Sequence, residues 1–197
     1  MILRMTLLFG AVLGWGVAAV GAAEPVRREA FVFAEVGAWD ISDDGLPYRL
    51  GVILPARHDP LSRLLRMREP RWVLAAGYAT IPAVYDDGTG RLSGAGGDGF
   101  LIAAAREWAW ALPVLGTARC DAALAIDFGL SYATRSLPAN GTHPNFLVSP
   151  GFVWETRPAA GRPGWHFGLR WFHLSNADLF GRNAGYDGIT LRVGRGW

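Results

Sequence analysis

The chain has no lysine: its 19 basic residues are all arginine, against 17 acidic ones, for a formal charge of +2. The arginines are dispersed, which argues against a nucleic-acid-binding arm. Cysteine is almost missing, with Cys120 alone among 197 residues. That excludes a disulfide framework and a multi-thiolate metal site. Long hydrophobic runs are missing beyond the N-terminus. A polytopic helical membrane protein, which needs several runs of about 20 apolar residues, is therefore excluded. Yet 51% of the chain is hydrophobic and 12% aromatic, too much for a disordered polypeptide. The length suits one domain, so this apolar surface must be spread through that domain in some pattern other than a helical span.

Residues 1–23 read as a secretory signal. Arg4 gives the positive start, Leu7 to Val20 an apolar stretch, and Val20-Gly21-Ala22 or Gly21-Ala22-Ala23 the small residues before a cleavage point near Glu24. Residues 24–197 are then the exported domain.

In that domain the apolar residues recur every second position. From 121 to 132 one parity carries Ala122, Leu124, Ile126, Phe128, Leu130 and Tyr132, and the other Asp121, Ala123, Ala125, Asp127, Gly129 and Ser131. This period of two is the mark of a strand with two unlike faces. It returns at Trp165, Phe167, Leu169 and Trp171, and again at Ile189, Leu191, Val193 and Trp197. Eight strands are expected, near 30–40, 47–56, 71–81, 99–110, 120–132, 145–156, 164–175 and 186–197. Turn-rich segments separate them. The stretch 60–69 suits either a short amphipathic helix or a loop.

Strands of about ten residues can cross a bilayer when tilted. In a soluble sandwich the large apolar side chains would face inwards. Here the opposite face is small or polar, which suits the lumen of a narrow barrel whose large residues face lipid. Trp72, Trp108, Trp110, Trp154 and Trp165 stand near strand ends, as an interfacial girdle requires. The chain is therefore expected to be all-β, an eight-stranded antiparallel transmembrane β-barrel. Asp121, Asp127, Glu107, Glu155 and Arg170 share the inward parity and predict a charge-paired lumen. Arg106 and Arg195 interrupt the apolar parity. Export and an even strand count place both termini on the periplasmic side, so the connection 176–185 is an outer loop.

Three polar residues break the apolar parity near the outer edge of strands seven and eight. His173 and Ser175 continue the lipid-facing row of Trp171, and Asp187 begins that of Ile189. Two residues apart on a strand, His173 and Ser175 share a face at a spacing of ~6.6 Å. An ionisable group on a lipid face is a functional hypothesis by default. Serine needs a base to become a nucleophile. Histidine can take the proton near neutral pH, and a carboxylate holds the imidazole in the required tautomer. Asn176, or a backbone N–H just beyond it, suits an oxyanion. A polar headgroup zone without catalysis explains the same residues.

The run His173-Leu174-Ser175-Asn176-Ala177, followed by Asn183-Ala184-Gly185-Tyr186-Asp187, resembles the lipid A 3-O-deacylase (PagL-type) outer-membrane enzymes. The resemblance implies an eight-stranded barrel that hydrolyses the 3-O-linked acyl ester of lipid A at a site on its outer wall. It implies His173 as the histidine, Ser175 as the nucleophile, Asp187 as the acid and Asn176 as the oxyanion-stabilising residue. Two positions depart from the pattern. Asp187 stands where glutamate is usual, one methylene shorter, and Asp178 stands where glycine is usual. Lipopolysaccharide is the implied substrate, among outer-membrane lipids, with no cofactor, no metal and no nucleic acid, and with room for a homodimer. The alternative is a non-catalytic barrel serving adhesion or membrane integrity.

Other signals carry less. Gly94-Ala95-Gly96-Gly97-Asp98-Gly99 lacks the Lys-Ser/Thr of a phosphate loop. No Gly-x-Ser-x-Gly elbow occurs. His58, His143 and His166 are scattered, which disfavours a metal cluster. Asn140-Gly141-Thr142 fits a turn.

Overall fold

The computed structural model describes residues 29–39, 47–57, 59–81, 83–85, 88–137, 139, 141–159, 162–177, 179 and 185–197. The expected signal segment 1–23, with the domain boundary at Glu24, lies outside the described residues, as does Asp178. The elements are β1 (Phe31–Trp39), β2 (Pro47–Pro55), α1 (Pro60–Leu64), β3 (Arg71–Ile81), β4 (Val84–Tyr85), β5 (Leu92–Gly94), β6 (Gly97–Ala111), β7 (Cys120–Leu137), β8 (Thr142–Thr156), β9 (Trp165–Ser175) and β10 (Tyr186–Gly196). Eight of the strands close into a barrel in the order β1-β10-β9-β8-β7-β6-β3-β2, and every neighbouring pair is antiparallel. Closure gives each strand a hydrogen-bonding partner on both sides, the condition for crossing lipid without a helix. Among the described residues, no helix is long and apolar enough to span a membrane.

The eight expected strands are all present, with ends that differ. β7 runs on to Leu137 and β8 begins at Thr142, with a register shift between Tyr132 and Leu137. Such a shift bends a strand pair locally, so this hairpin extends beyond where strict alternation stops. β4 and β5 form a small separate hairpin between the third and fourth expected strands, where no strand was expected; β5 falls in the stretch 86–99 read as turn-rich. The stretch after β2 resolves its two readings as a helix of one turn, α1. Asp59 caps it: the Asp59 carboxylate accepts from the Ser62 N–H at 2.7 Å, and the Ser62 hydroxyl accepts from the Asp59 N–H at 3.2 Å. This reciprocal box satisfies two otherwise orphaned donors.

The two faces of the wall divide as the period of two requires. On β10, Ile189, Leu191 and Val193 are exposed outwards, while Gly188, Thr190 and Arg192 are buried inwards. The five tryptophans named above lie on the outward parity of β3, β6, β8 and β9, at the barrel edge where β1 begins and β10 ends, and Trp197 follows β10 at the same edge. Tyr48, Tyr78 and Phe100 mark the opposite rim and are exposed. Both arginines that break the apolar parity lie across aromatic faces. Arg106 sits 5.1 Å from the Trp72 ring centre and Arg195 4.6 Å from that of Trp165. Cation–π contact at the interfacial girdle lets a charge occupy a lipid-facing row.

The lumen is filled by charge. Glu35 pairs with Arg49 and Arg192, and Arg192 reaches Asp127 at 3.0 Å. Arg170 joins Asp127 at 3.2 Å and also pairs with Glu107. Arg71 pairs with Glu107 and Glu155, and the His166 Nδ1 lies 2.9 Å from Glu155. Four arginines and four carboxylates thus form one continuous ladder, around which Ala103, Ala105, Ala123 and Ala125 leave the needed width. Asp121 is the exception among the predicted lumen charges. It pairs with Arg157 at 2.9 Å at the rim, outside the ladder, because β7 starts there.

Candidate active site

The geometry begins with strand register. β9 and β10 pair so that His173 faces Asp187 directly, with Trp171 opposite Ile189 and Leu169 opposite Leu191. Directly opposed residues in an antiparallel pair put their side chains on one face within reach of each other. The His173 Nδ1 accordingly lies 2.9 Å from Asp187 Oδ1. An ionised carboxylate only accepts, so in this contact the Nδ1 is the donor, and among the described residues Nε2 has no hydrogen-bond partner.

Ser175 continues the same row at the end of β9 and is half-buried, as is His173. On the other side, β8 sets Val148 against His173 and Phe146 against Ser175. Among the described residues, no hydrogen bond joins Ser175 to His173. The strand pair therefore unites His173 with Asp187, and places Ser175 one step along the same face. Asn176 is 1% exposed immediately past the strand, and its carbonyl accepts from the Leu179 N–H at 3.0 Å. Ala177 then takes a positive φ of 52° as the chain leaves β9.

Two neighbours were not singled out by sequence for a role at this site. The Trp171 ring stacks on that of His173, with centres 5.7 Å apart and planes inclined by 21°. Gly185 has φ +78°, and a Cβ placed there would come within 2.5 Å of the His173 Cε1. The bare backbone of Gly185 is what leaves room for the imidazole. Gly185, two residues before the cross-strand partner Asp187, was visible in sequence, but its contact depends on register. Below the site the outer wall is apolar: Leu169, Phe167, Leu191 and Val193 descend from it, all exposed.

The fold is that of a small transmembrane β-barrel, and comparison with known proteins places it among barrels that are ester hydrolases. The chain belongs to the lipid A 3-O-deacylase (PagL) family, whose model matches residues 85–195. That match reaches upstream of the C-terminal motif, through β6, β7 and β8. The crystal structure of the outer membrane enzyme PagL superposes with a TM-score of 0.57 at 20% identity, covering 83% of this chain and 97% of that one. A de novo designed transmembrane β-barrel gives a TM-score of 0.44 at 10% identity, over 89% of this chain and 100% of that one. No curated protein matches significantly. Family membership makes the protein an outer-membrane enzyme acting on lipid A and sets aside the inert barrel.

Proposed function

We propose that this barrel removes the 3-O-linked acyl chain of lipid A by serine catalysis, with Ser175 as nucleophile, His173 as base and Asp187 as the group that orients it. The observation that carries this reading is the 2.9 Å contact between His173 Nδ1 and Asp187 Oδ1 on the lipid-facing wall. It leaves Nε2 to receive the proton of Ser175. Lipid A approaches laterally from the outer leaflet, and the serine oxygen attacks the ester carbonyl as His173 takes its proton. Asn176, or a backbone N–H beside it, stabilises the oxyanion. The tetrahedral intermediate collapses, and the sugar hydroxyl leaves with the proton held by His173. Water, deprotonated by the same ring, then releases the hydroxy fatty acid and restores Ser175. Residues 1–23 supply the export signal that this location requires.

The test is the mass spectrum of lipid A from cells expressing each form. The wild-type chain is expected to shorten lipid A by one hydroxyacyl group. Ser175→Ala is expected to leave a folded barrel in the membrane and no such product. Continued deacylation by that variant would rule out Ser175 as nucleophile.

A further inference from the structure

The connection from β2 to β3 does more than turn the chain. α1 is a single helical turn, yet Leu61, Leu64 and Leu65 on it and just past it are 47%, 77% and 43% exposed. The spacing i, i+3, i+4 puts them on one face. Ser62 points the other way and is buried, and Met67 is also buried. Exposed Arg57, Arg63 and Arg66 flank the leucines.

The helix is tied to one particular side of the wall. The Asp59 carboxylate, besides capping α1, accepts from Arg106 at 3.2 Å and from the Trp108 indole N–H at 3.1 Å. The Arg106 guanidinium also donates to the Arg57 carbonyl. Arg106 and Trp108 both stand on the lipid-facing parity of β6, and Arg106 in turn covers the lipid-facing Trp72. α1 is therefore bound to the outer side of the barrel at its periplasmic edge. Its leucines extend the same apolar surface that the lipid-facing wall presents.

We infer that α1 and its flanks form an interfacial anchor that beds into the periplasmic leaflet and binds anionic glycerophospholipid headgroups. The leucines enter the boundary between headgroups and acyl chains, and the arginines meet the phosphates. Continuity with the lipid-facing wall selects a bilayer as the occupant. The charge of the segment selects an anionic one: Asp59 is already neutralised by Arg106, so Arg57, Arg63 and Arg66 remain for the lipid.

The experiment uses the full exported chain folded into vesicles, in a Cys120→Ser background, with folding checked by heat-modifiable migration. A nitroxide is placed at Leu64→Cys, and as a reference at Ala118→Cys, exposed in the β6–β7 turn. Collision with dissolved oxygen is compared with collision with a water-soluble nickel chelate. At position 64 oxygen is expected to dominate several-fold, and at 118 the chelate. Replacing part of the phosphatidylcholine by phosphatidylglycerol should deepen the label at 64, and Arg57→Gln, Arg63→Gln and Arg66→Gln together should abolish that gain. A label at 64 as open to the chelate as that at 118 overturns the anchor. Equal depth in both vesicle types overturns the anionic headgroup.

Discussion

At Gly185 the backbone takes φ +78°, a conformation that costs an L-residue roughly 1–2 kcal/mol, and the space its missing side chain would fill is occupied by the His173 ring. Gly185→Ala is thus expected to displace the imidazole from Asp187 while β10 keeps its register. A misplacement of about 1 Å in a reacting group can lower turnover on the order of 10²-fold. Deacylation of purified lipid A by the folded variant would measure this. Trp171→Phe, which keeps an aromatic face against His173, should retain most activity. Equal rates for Gly185→Ala and the wild type would show that the ring has room to spare. The role of Gly185 was not legible in the sequence, because it depends on which residue lies opposite His173; Trp171 shares the row of His173, and the structure adds that the two rings stack. The shared outward row of His173, Ser175 and Asp187 was legible. They stood out as polar side chains on a parity that is otherwise apolar.

Among the elements, the long strands were easiest to read. A barrel strand exposes one face to lipid and one to a narrow lumen, so ten or more residues repeat the same contrast. β4 and β5 span too few residues to show a period. α1 is likewise one turn, too short for a period to choose between helix and loop, and its Asp59–Ser62 cap emerges only in the structure. The Ser62 N–H, followed by the Trp108 indole and Arg106, holds the Asp59 carboxyl below its usual range. A depressed carboxylate contributes stability that is present above its unfolded pKa and is lost as pH falls through the folded value. Attachment of α1 should therefore be unchanged from neutrality to about the ordinary aspartate pKa and weaken only in stronger acid. Hydrogen exchange of the Ser62 amide, or the mobility of a label at position 64, would follow the release. Asp59→Ala should give the released state already at neutral pH.

For the whole molecule, the inward parity of the charges was readable but their pairing was not. Arg192 reaches Glu35 from 157 residues away, and only closure of β1 on β10 brings them together. Arg192 also contacts Asp127, and its guanidinium lies 4.5 Å from the centre of the Phe33 ring. Removing one member of a buried ionic network leaves its partners uncompensated, at a cost of about 3–5 kcal/mol. Arg192→Leu is expected to lower barrel stability by about that amount, measured by urea unfolding in lipid vesicles. Glu35 and Asp127 would both lose a partner. A variant as stable as the wild type would mean that Arg49 and Arg170 suffice for the remaining carboxylates.

The ladder of arginines and carboxylates across the lumen also decides what the barrel cannot do. Interlocked side chains occupy the axis where a porin would have its channel, so this wall is a post and not a pipe. A lipid can be worked on against its flank while small solutes stay on their own side. The cell can therefore carry many copies of such an enzyme without loss of its permeability barrier.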